Sequence, residues 1–122
     1  MQTLETFSGF AVDDVAAART FYSSTLGMTV SEQNGMLGLD VGDGHHVLVY
    51  PKPHHVPAEF TVLNFRVADV EAAVDELVAA GVEPIRYDGM QQDERGVFRL
   101  GGPFIAWFRD PAGNVLSVLQ DR

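Results

Sequence analysis

Apolar and polar positions along this chain follow two periods, and the switch between them happens twice in the same way. Phe10-x-Val12-x-Asp14-Val15-x-Ala17-Ala18 returns 55 residues later as Phe65-x-Val67-x-Asp69-Val70-x-Ala72-Ala73. In each copy a stretch of alternating residues, suited to a strand packed on one face, gives way to apolar residues at helical spacing. The Asp at the junction can accept hydrogen bonds from the free N–H groups of a first helical turn. Gly27 after Leu26 and Gly81 after Ala80 offer the left-handed cap that a residue without Cβ adopts most easily. The shared start and stop predict a duplicated strand–helix unit.

The first half reads as a strand over 5–12 and a helix over 14–26, with Val15, Ala18, Phe21, Tyr22 and Leu26 on one stripe. Strands near 28–33, 36–41 and 46–50 follow, separated by Asn34-Gly35 and Asp43-Gly44. Both pairs suit two-residue hairpins, which need positive φ. The second half repeats the order with a strand over 60–67 and a helix over 70–80, whose stripe is Val70, Ala73, Val74 and Leu77. Its strands are expected near 83–88, 104–109 and 115–120, the last two joined by Asp110-Pro111-Ala112-Gly113-Asn114. Pro51-Lys52-Pro53-His54-His55-Val56-Pro57 reads as a stiff, extended connector, since prolines remove ladder donors. The pattern predicts one α+β domain of two βαβββ modules in tandem, about 1–51 and about 60–122, joined over about 51–59. Symmetry fails at Gly89–Pro103, which replaces a tight turn with a long segment. Such a segment is either a binding loop or lid, or a tolerated insertion.

Composition narrows the function. Eight Lys and Arg against 17 Asp and Glu give a net charge of −9, a field that repels a phosphate backbone, so nucleic acid is not an expected partner. The same field either draws in a cationic small ligand or serves only solubility. No apolar run approaches a membrane span, and Met1-Gln2-Thr3-Leu4-Glu5 lacks the basic and apolar regions of a signal peptide. There is no cysteine, hence no disulfide, thiolate nucleophile or sulfur-ligated metal. The expected compartment is the cytoplasm, with no membrane partner.

The chain resembles the vicinal oxygen chelate superfamily, which includes glyoxalase I, extradiol dioxygenases and bleomycin-resistance proteins. The residues carrying the resemblance are Val12-Asp13-Asp14-Val15 leading to Phe21-Tyr22 and Leu26-Gly27-Met28, then Val67-Ala68-Asp69-Val70 leading to Leu77-Val78-Ala79-Ala80-Gly81, and finally Asp110-Pro111-Ala112-Gly113-Asn114-Val115. The resemblance implies that each half curls its mixed sheet into a cleft with one helix outside. It also implies that paired halves, within or between chains, form the binding cavity, and that the protein is a homodimer. It does not select a reaction, because such folds host many.

Metal-dependent members carry a His, Gln or Glu on the first strand of each half and a carboxylate on the last. Carried onto this chain, those positions are Phe7, Val62 and Ser117, with Val49 (or Tyr50) as the first-half mirror of Ser117. A catalytic divalent ion takes about three protein donors, and one hydroxyl does not supply them. The expectation is therefore no metal and no cofactor. His45 and His46 begin a strand, where neighbours point to opposite faces, and His54 and His55 lie beyond Pro53. Neither pair makes a chelate on a regular strand, although one of each could. Asp40 and Asp43 lack the further acidic ligands of a calcium loop.

Period two also sorts the strands. Leu63, Phe65 and Val67 should face the helices, with Ala106, Phe108, Leu116 and Val118. Val62, Asn64 and Arg66 take the other face, with Ile105, Trp107, Arg109, Val115, Ser117 and Leu119, mirrored by Phe7, Gly9 and Ala11. The resemblance makes this the cavity face. The candidate ligand-binding set is Phe7, Val49, Val62, Asn64, Arg66, Met90, Phe98, Ile105, Trp107, Arg109 and Ser117. Trp107 could stack on a planar or cationic group, or simply fill the core. Arg66 must pair with a carboxylate, reach water, or meet an anionic ligand group. The leading expectation is metal-independent binding of a small organic molecule in an aromatic-lined cleft, as in sequestration proteins of the bleomycin-resistance type. Two alternatives stand beside it: a glyoxalase-like lyase or isomerase, or a dioxygenase, with relocated ligands, and a non-catalytic regulatory protein. No catalytic residue can be assigned.

Overall fold

The computed structural model describes residues 1–122, which divide into two compact units, Met1–Pro57 and Ala58–Arg122. In the first unit β1 (Gly9–Val12) is followed by helix α1 (Val15–Thr20), which runs into a π-helical turn over Phe21–Thr25. Strands β2 (Val30–Gln33), β3 (Met36–Gly42) and β4 (His45–Pro51) complete a mixed sheet in the order β1-β4-β3-β2, with β1 parallel to β4. The second unit holds β5 (Thr61–Arg66), α2 (Val70–Ala79), β6 (Phe104–Arg109) and β7 (Val115–Gln120), in the order β5-β7-β6 with β5 parallel to β7. This is an α+β architecture of two tandem modules.

The duplicated joint is built as its sequence predicts. The Asp14 carboxylate accepts the Ala17 N–H at 3.0 Å, and Asp69 accepts that of Ala72 at 3.1 Å, both from an extended backbone. Gly27 and Gly81 take φ of 73° and 89°. At Gly81 the exit is a regular cap: Gly81 N–H donates to Val78 O and Val82 N–H to Leu77 O. The first helix ends differently. Gly27 lies 13 residues after its capping Asp, Gly81 only 12 after its own. The additional residue widens the last turn, so that Leu26 N–H reaches Phe21 O and Met28 N–H reaches Tyr22 O. One inserted residue absorbed without breaking the helix is the origin of a π turn.

Each helix covers one face of its own sheet. Phe10, Val12, Leu37, Leu39, Val47 and Val49 are buried with Ala18, Phe21 and Tyr22, whose rings meet edge to face at 5.2 Å. Val70 and Val74 are buried with Ala106, Phe108, Leu116 and Val118, and the Phe65 ring lies 6.5 Å from that of Phe108. Asn34-Gly35 and Asp43-Gly44 have positive φ and turn the two hairpins. The 110–114 turn explains its own composition. Buried Asp110 accepts the N–H groups of Ala112 and Asn114 and the Asn114 side-chain amide, while Gly113 supplies φ of 88°.

Three expectations are corrected. The first strand begins at Gly9 rather than residue 5, because residues 5–7 find no ladder partner. The connector turns at His54, with φ of 56°, instead of running straight. No strand forms over 83–88. Pro84 has no N–H, and the segment keeps one ladder bond, from Ile85 N–H to Trp107 O at 2.8 Å. The Gln92 side chain supplies the rest: its Oε1 accepts Tyr87 N–H and its Nε2 donates to Ile85 O and Gly96 O, each at 2.8 Å.

Candidate functional site

Alternation and register leave one face of each sheet without a helix. In the second unit the register sets Asn64 beside Ser117 and Ser117 beside Trp107, with Arg66, Leu119 and Ile105 in the next row. Ser117 is fully buried, and its hydroxyl donates to Asn64 Oδ1 at 2.5 Å. Trp107 meets Tyr87 edge to face at 5.4 Å and Phe98 at 6.4 Å. Phe98 is itself tied to Ile105 by backbone bonds of 2.8 and 3.1 Å. Arg66 is exposed and pairs with Asp121 at 3.1 Å, which answers the question its position raised. Arg109, paired with Val115 in the ladder, is exposed, and its guanidinium has no ion-pair partner. Val62 is half-buried at a bulge between Thr61 and Leu63.

The long segment after Gly89 is anchored at several points. Val97 is buried, and Asp93 accepts N–H groups from Arg95 and Val97 at 2.9 Å each, and Arg99 Nε at 3.1 Å. Burial alone would raise the Asp93 carboxyl. The donors from Val97, Arg99 and Arg95 outweigh it and hold the group below the usual carboxylate range. Arg99 and Arg95 continue to Glu71 and Asp75 on α2. Met90 is half-buried in this segment.

In the first unit the helix-free face carries Gly9, Ala11, Leu48, Tyr50, Gly38 and His46, with Ser31 and Gln33 from β2. Val49 does not belong to it. It is fully buried and stands in register with Phe10 and Leu37 on the helix side. Leu48, paired with Gly9, is the counterpart of Ser117, paired with Asn64. The count missed this because the 89–103 segment makes the β4-to-β7 spacing differ from the 55-residue repeat of the first strands. Phe7 lies ahead of β1 and is 58% exposed.

A groove of about 350 Å³ lies on this face, lined by Ser31, Gln33, Asn34, Met36, Leu37, Gly38, His46 and Leu48. Of these, none was in the candidate set read from the sequence. A glycine inside a strand can mark close approach of a ligand, and Gly38 was the available signal.

The Glyoxalase/Bleomycin resistance protein/Dioxygenase family model matches residues 5–118. The chain belongs to that superfamily. Solved structures with the superfamily fold include TnmS3, an antibiotic-binding protein from Streptomyces sp. CB03234, at 24% identity, TM-score 0.71 and full coverage of both chains. The fosfomycin resistance protein FosX from Listeria monocytogenes matches at 12% identity and TM-score 0.71, over 100% of this chain and 96% of that one. A lactoylglutathione lyase from Agrobacterium tumefaciens matches at 17% identity and TM-score 0.67, over 98% and 96%. Comparison with curated proteins gave no match. No helix is long and apolar enough to cross a membrane.

At the positions the superfamily likeness assigns to metal ligands, the residues do not fit a divalent ion. Phe7, Leu48 and Val62 have no donor, and the Ser117 hydroxyl is directed at Asn64. Nowhere do three His, Asp or Glu side chains converge as a metal-binding group. His45 and His46 pair with Gly42 and Asp40 respectively, on opposite faces of β4.

Proposed function

We propose that this protein binds a small organic molecule, without a metal cofactor, on the helix-free faces of its sheets, and that it works as a cytoplasmic homodimer. The observation that carries the reading is the groove over Gly38, which combines apolar Met36 and Leu48 with uncharged hydrogen-bonding groups. The donor-poor residues at the superfamily's metal positions support binding over metal chemistry. One solved structure of this fold is an antibiotic-binding protein, so the fold can hold such a guest.

Charge narrows the ligand. Arg66 is engaged by Asp121, leaving Arg109 as the one arginine without a partner, against a net charge of −9. That balance favours a neutral or cationic compound. The test is thermal unfolding with a panel of aromatic compounds including bleomycin, with metal analysis before and after chelation and light scattering for mass. The expected result is a raised melting temperature with at least one compound, no stoichiometric metal, no effect of chelator, and a dimer. A stoichiometric divalent ion required for binding or turnover would overturn the metal-independent reading.

A further inference from the structure

We infer that Thr6, Phe7 and Ser8 form a strap that zips onto the open end of β4 and lays Phe7 across the end of the groove, closing it over an apolar guest. The inference rests on the binding reading above and says how the guest is retained.

The place for the strap follows from the ladder. Leu48 N–H donates to Ser8 O at 3.0 Å, so Leu48 and, by alternation, His46 turn their N–H and C=O groups toward β1. Val47 and Val49 turn theirs toward β3, in register with Leu39 and Leu37. Beside His46 the β1 side of the ladder stops: β1 begins at Gly9, and no hydrogen bond reaches the His46 backbone from that side. Gly9 stands in register with Leu48, so a regular continuation sets Phe7 beside His46 and Thr6 beside His45. Ser8 N–H would then donate to His46 O, and His46 N–H to Thr6 O. In the structure the chain leaves the sheet at Gly9, where a Cβ would stand only 3.0 Å from Leu48 O. A residue without a side chain makes that departure easy.

The same continuation decides where Phe7 goes. Side chains alternate along a strand, so Phe7 falls on the helix-free face with Gly9 and Ala11. His46 and Leu48, the register partners of positions 7 and 9, both line the groove on that face. Phe7 is 58% exposed as it stands. Docking the strap brings its ring over the groove.

Energetics keep the strap open when the groove is empty. Exchanging two backbone hydrogen bonds with water returns little, and fixing three residues costs more than that. A guest in the groove gives the Phe7 ring an apolar surface to bury, and that difference shifts the strap to its closed position.

The chain has no cysteine, so the closed register can be locked and read directly. Thr6 and His45 are both exposed. Thr6→Cys with His45→Cys sets the thiols side by side, on the face opposite Phe7, which stays intact; Thr6→Cys with His46→Cys sets them on opposite faces. In a glutathione buffer with the neutral apolar dye Nile red, the first pair should form its intramolecular disulfide at least about tenfold faster than the second. Nile red should leave the locked first pair about tenfold more slowly than its reduced form, and Phe7→Ala in the locked chain should remove the difference. Equal cross-linking rates overturn the strap, as does equal dye release from locked and reduced protein. If panel compounds bind the wild type while either strap test fails, the strap fails and the binding reading stands. If neither Nile red nor any panel compound binds, both fail together.

Discussion

Ser117 on β7 and Asn64 on β5 are ladder neighbours joined by a 2.5 Å hydrogen bond from the serine hydroxyl to the amide oxygen. The bond occupies the position where the superfamily likeness places a metal-binding carboxylate. Ser117 is fully buried, so a charged replacement would lose its hydration. Ser117→Ala should lower unfolding free energy by about 1 kcal/mol. Asn64→Ala should cost more, about 1–3 kcal/mol, because it leaves a buried hydroxyl without a partner. A double-mutant cycle in urea should therefore show coupling. Ser117→Glu should cost about 3 kcal/mol or more, and added zinc or manganese should restore none of it. Recovery of stability with either ion would mean that the remaining donors can still close a metal site.

Gln92 takes the place of a fourth strand in the second unit. Its amide holds Tyr87 N–H, Ile85 O and Gly96 O, the groups that a ladder would otherwise have to satisfy. Ile85 and Gly96 are buried, so water cannot readily replace the amide. Gln92→Ala should destabilise by about 2–4 kcal/mol in chemical denaturation. Gln92→Glu should be similarly harmful, because it turns a donor toward two carbonyls into an acceptor. A loss below about 0.5 kcal/mol in both variants would show that the 85–98 region is held by other contacts.

Asp93 links pH to the same segment. Its carboxyl is held below the usual range by hydrogen bonds from Val97, Arg99 and Arg95 that exceed the effect of burial. A depressed carboxyl pKa contributes stability that is fully present above the unfolded value of about 4 and is lost as pH falls through the folded value. Unfolding free energies of the wild type and Asp93→Asn should differ by about 1–2 kcal/mol at pH 7 and converge only as the pH falls through the depressed folded value. A gap that stays constant over that range would remove Asp93 from the acid response.

The elements that were legible in the sequence are those fixed by neighbouring residues. Asp14 and Asp69 cap because a side chain reaches three residues ahead, and Asn34-Gly35 turns because positive φ is a property of those two residues. The faces of β6, of β7 and of β5 from Leu63 onward followed from period two, whereas at the bulge Thr61 rather than Val62 stands beside Val115. What stayed hidden depends on partners distant in the chain. Whether Leu48 or Val49 mirrors Ser117 is a matter of strand register, which alternation does not specify. Glu83–Asp88 has a strand-like composition, yet Pro84 and the reach of Gln92 decide its fate. The groove was missed because its floor is a residue with no side chain, and a search for chemistry among side chains passes over Gly38.

The π turn at Phe21–Thr25 gives the most direct test of the duplication. Relative to α2, the first helix has one additional residue between its Asp cap and its terminal glycine, and the turn widens by one residue to absorb it. Phe21 and Tyr22, the buried pair, open the widened stretch, while Ser24, further along it, faces solvent. Deleting Ser24 should therefore leave Phe21 and Tyr22 packed and convert the end of the helix to a regular α-helical cap like that at Gly81. Removing the one residue that the widened turn accommodates should change unfolding free energy by less than about 1 kcal/mol, where deletion inside an ordinary helix would rotate every following side chain off its stripe. The matching experiment inserts an alanine after Leu77, which should widen α2 in the same way at a similar small cost. Amide exchange of Leu26 and Met28 would report the change of hydrogen-bond partners. A deletion that costs several kcal/mol would mean that the π turn is required for packing Phe21 and Tyr22 and is not a tolerated insertion in one of two copies.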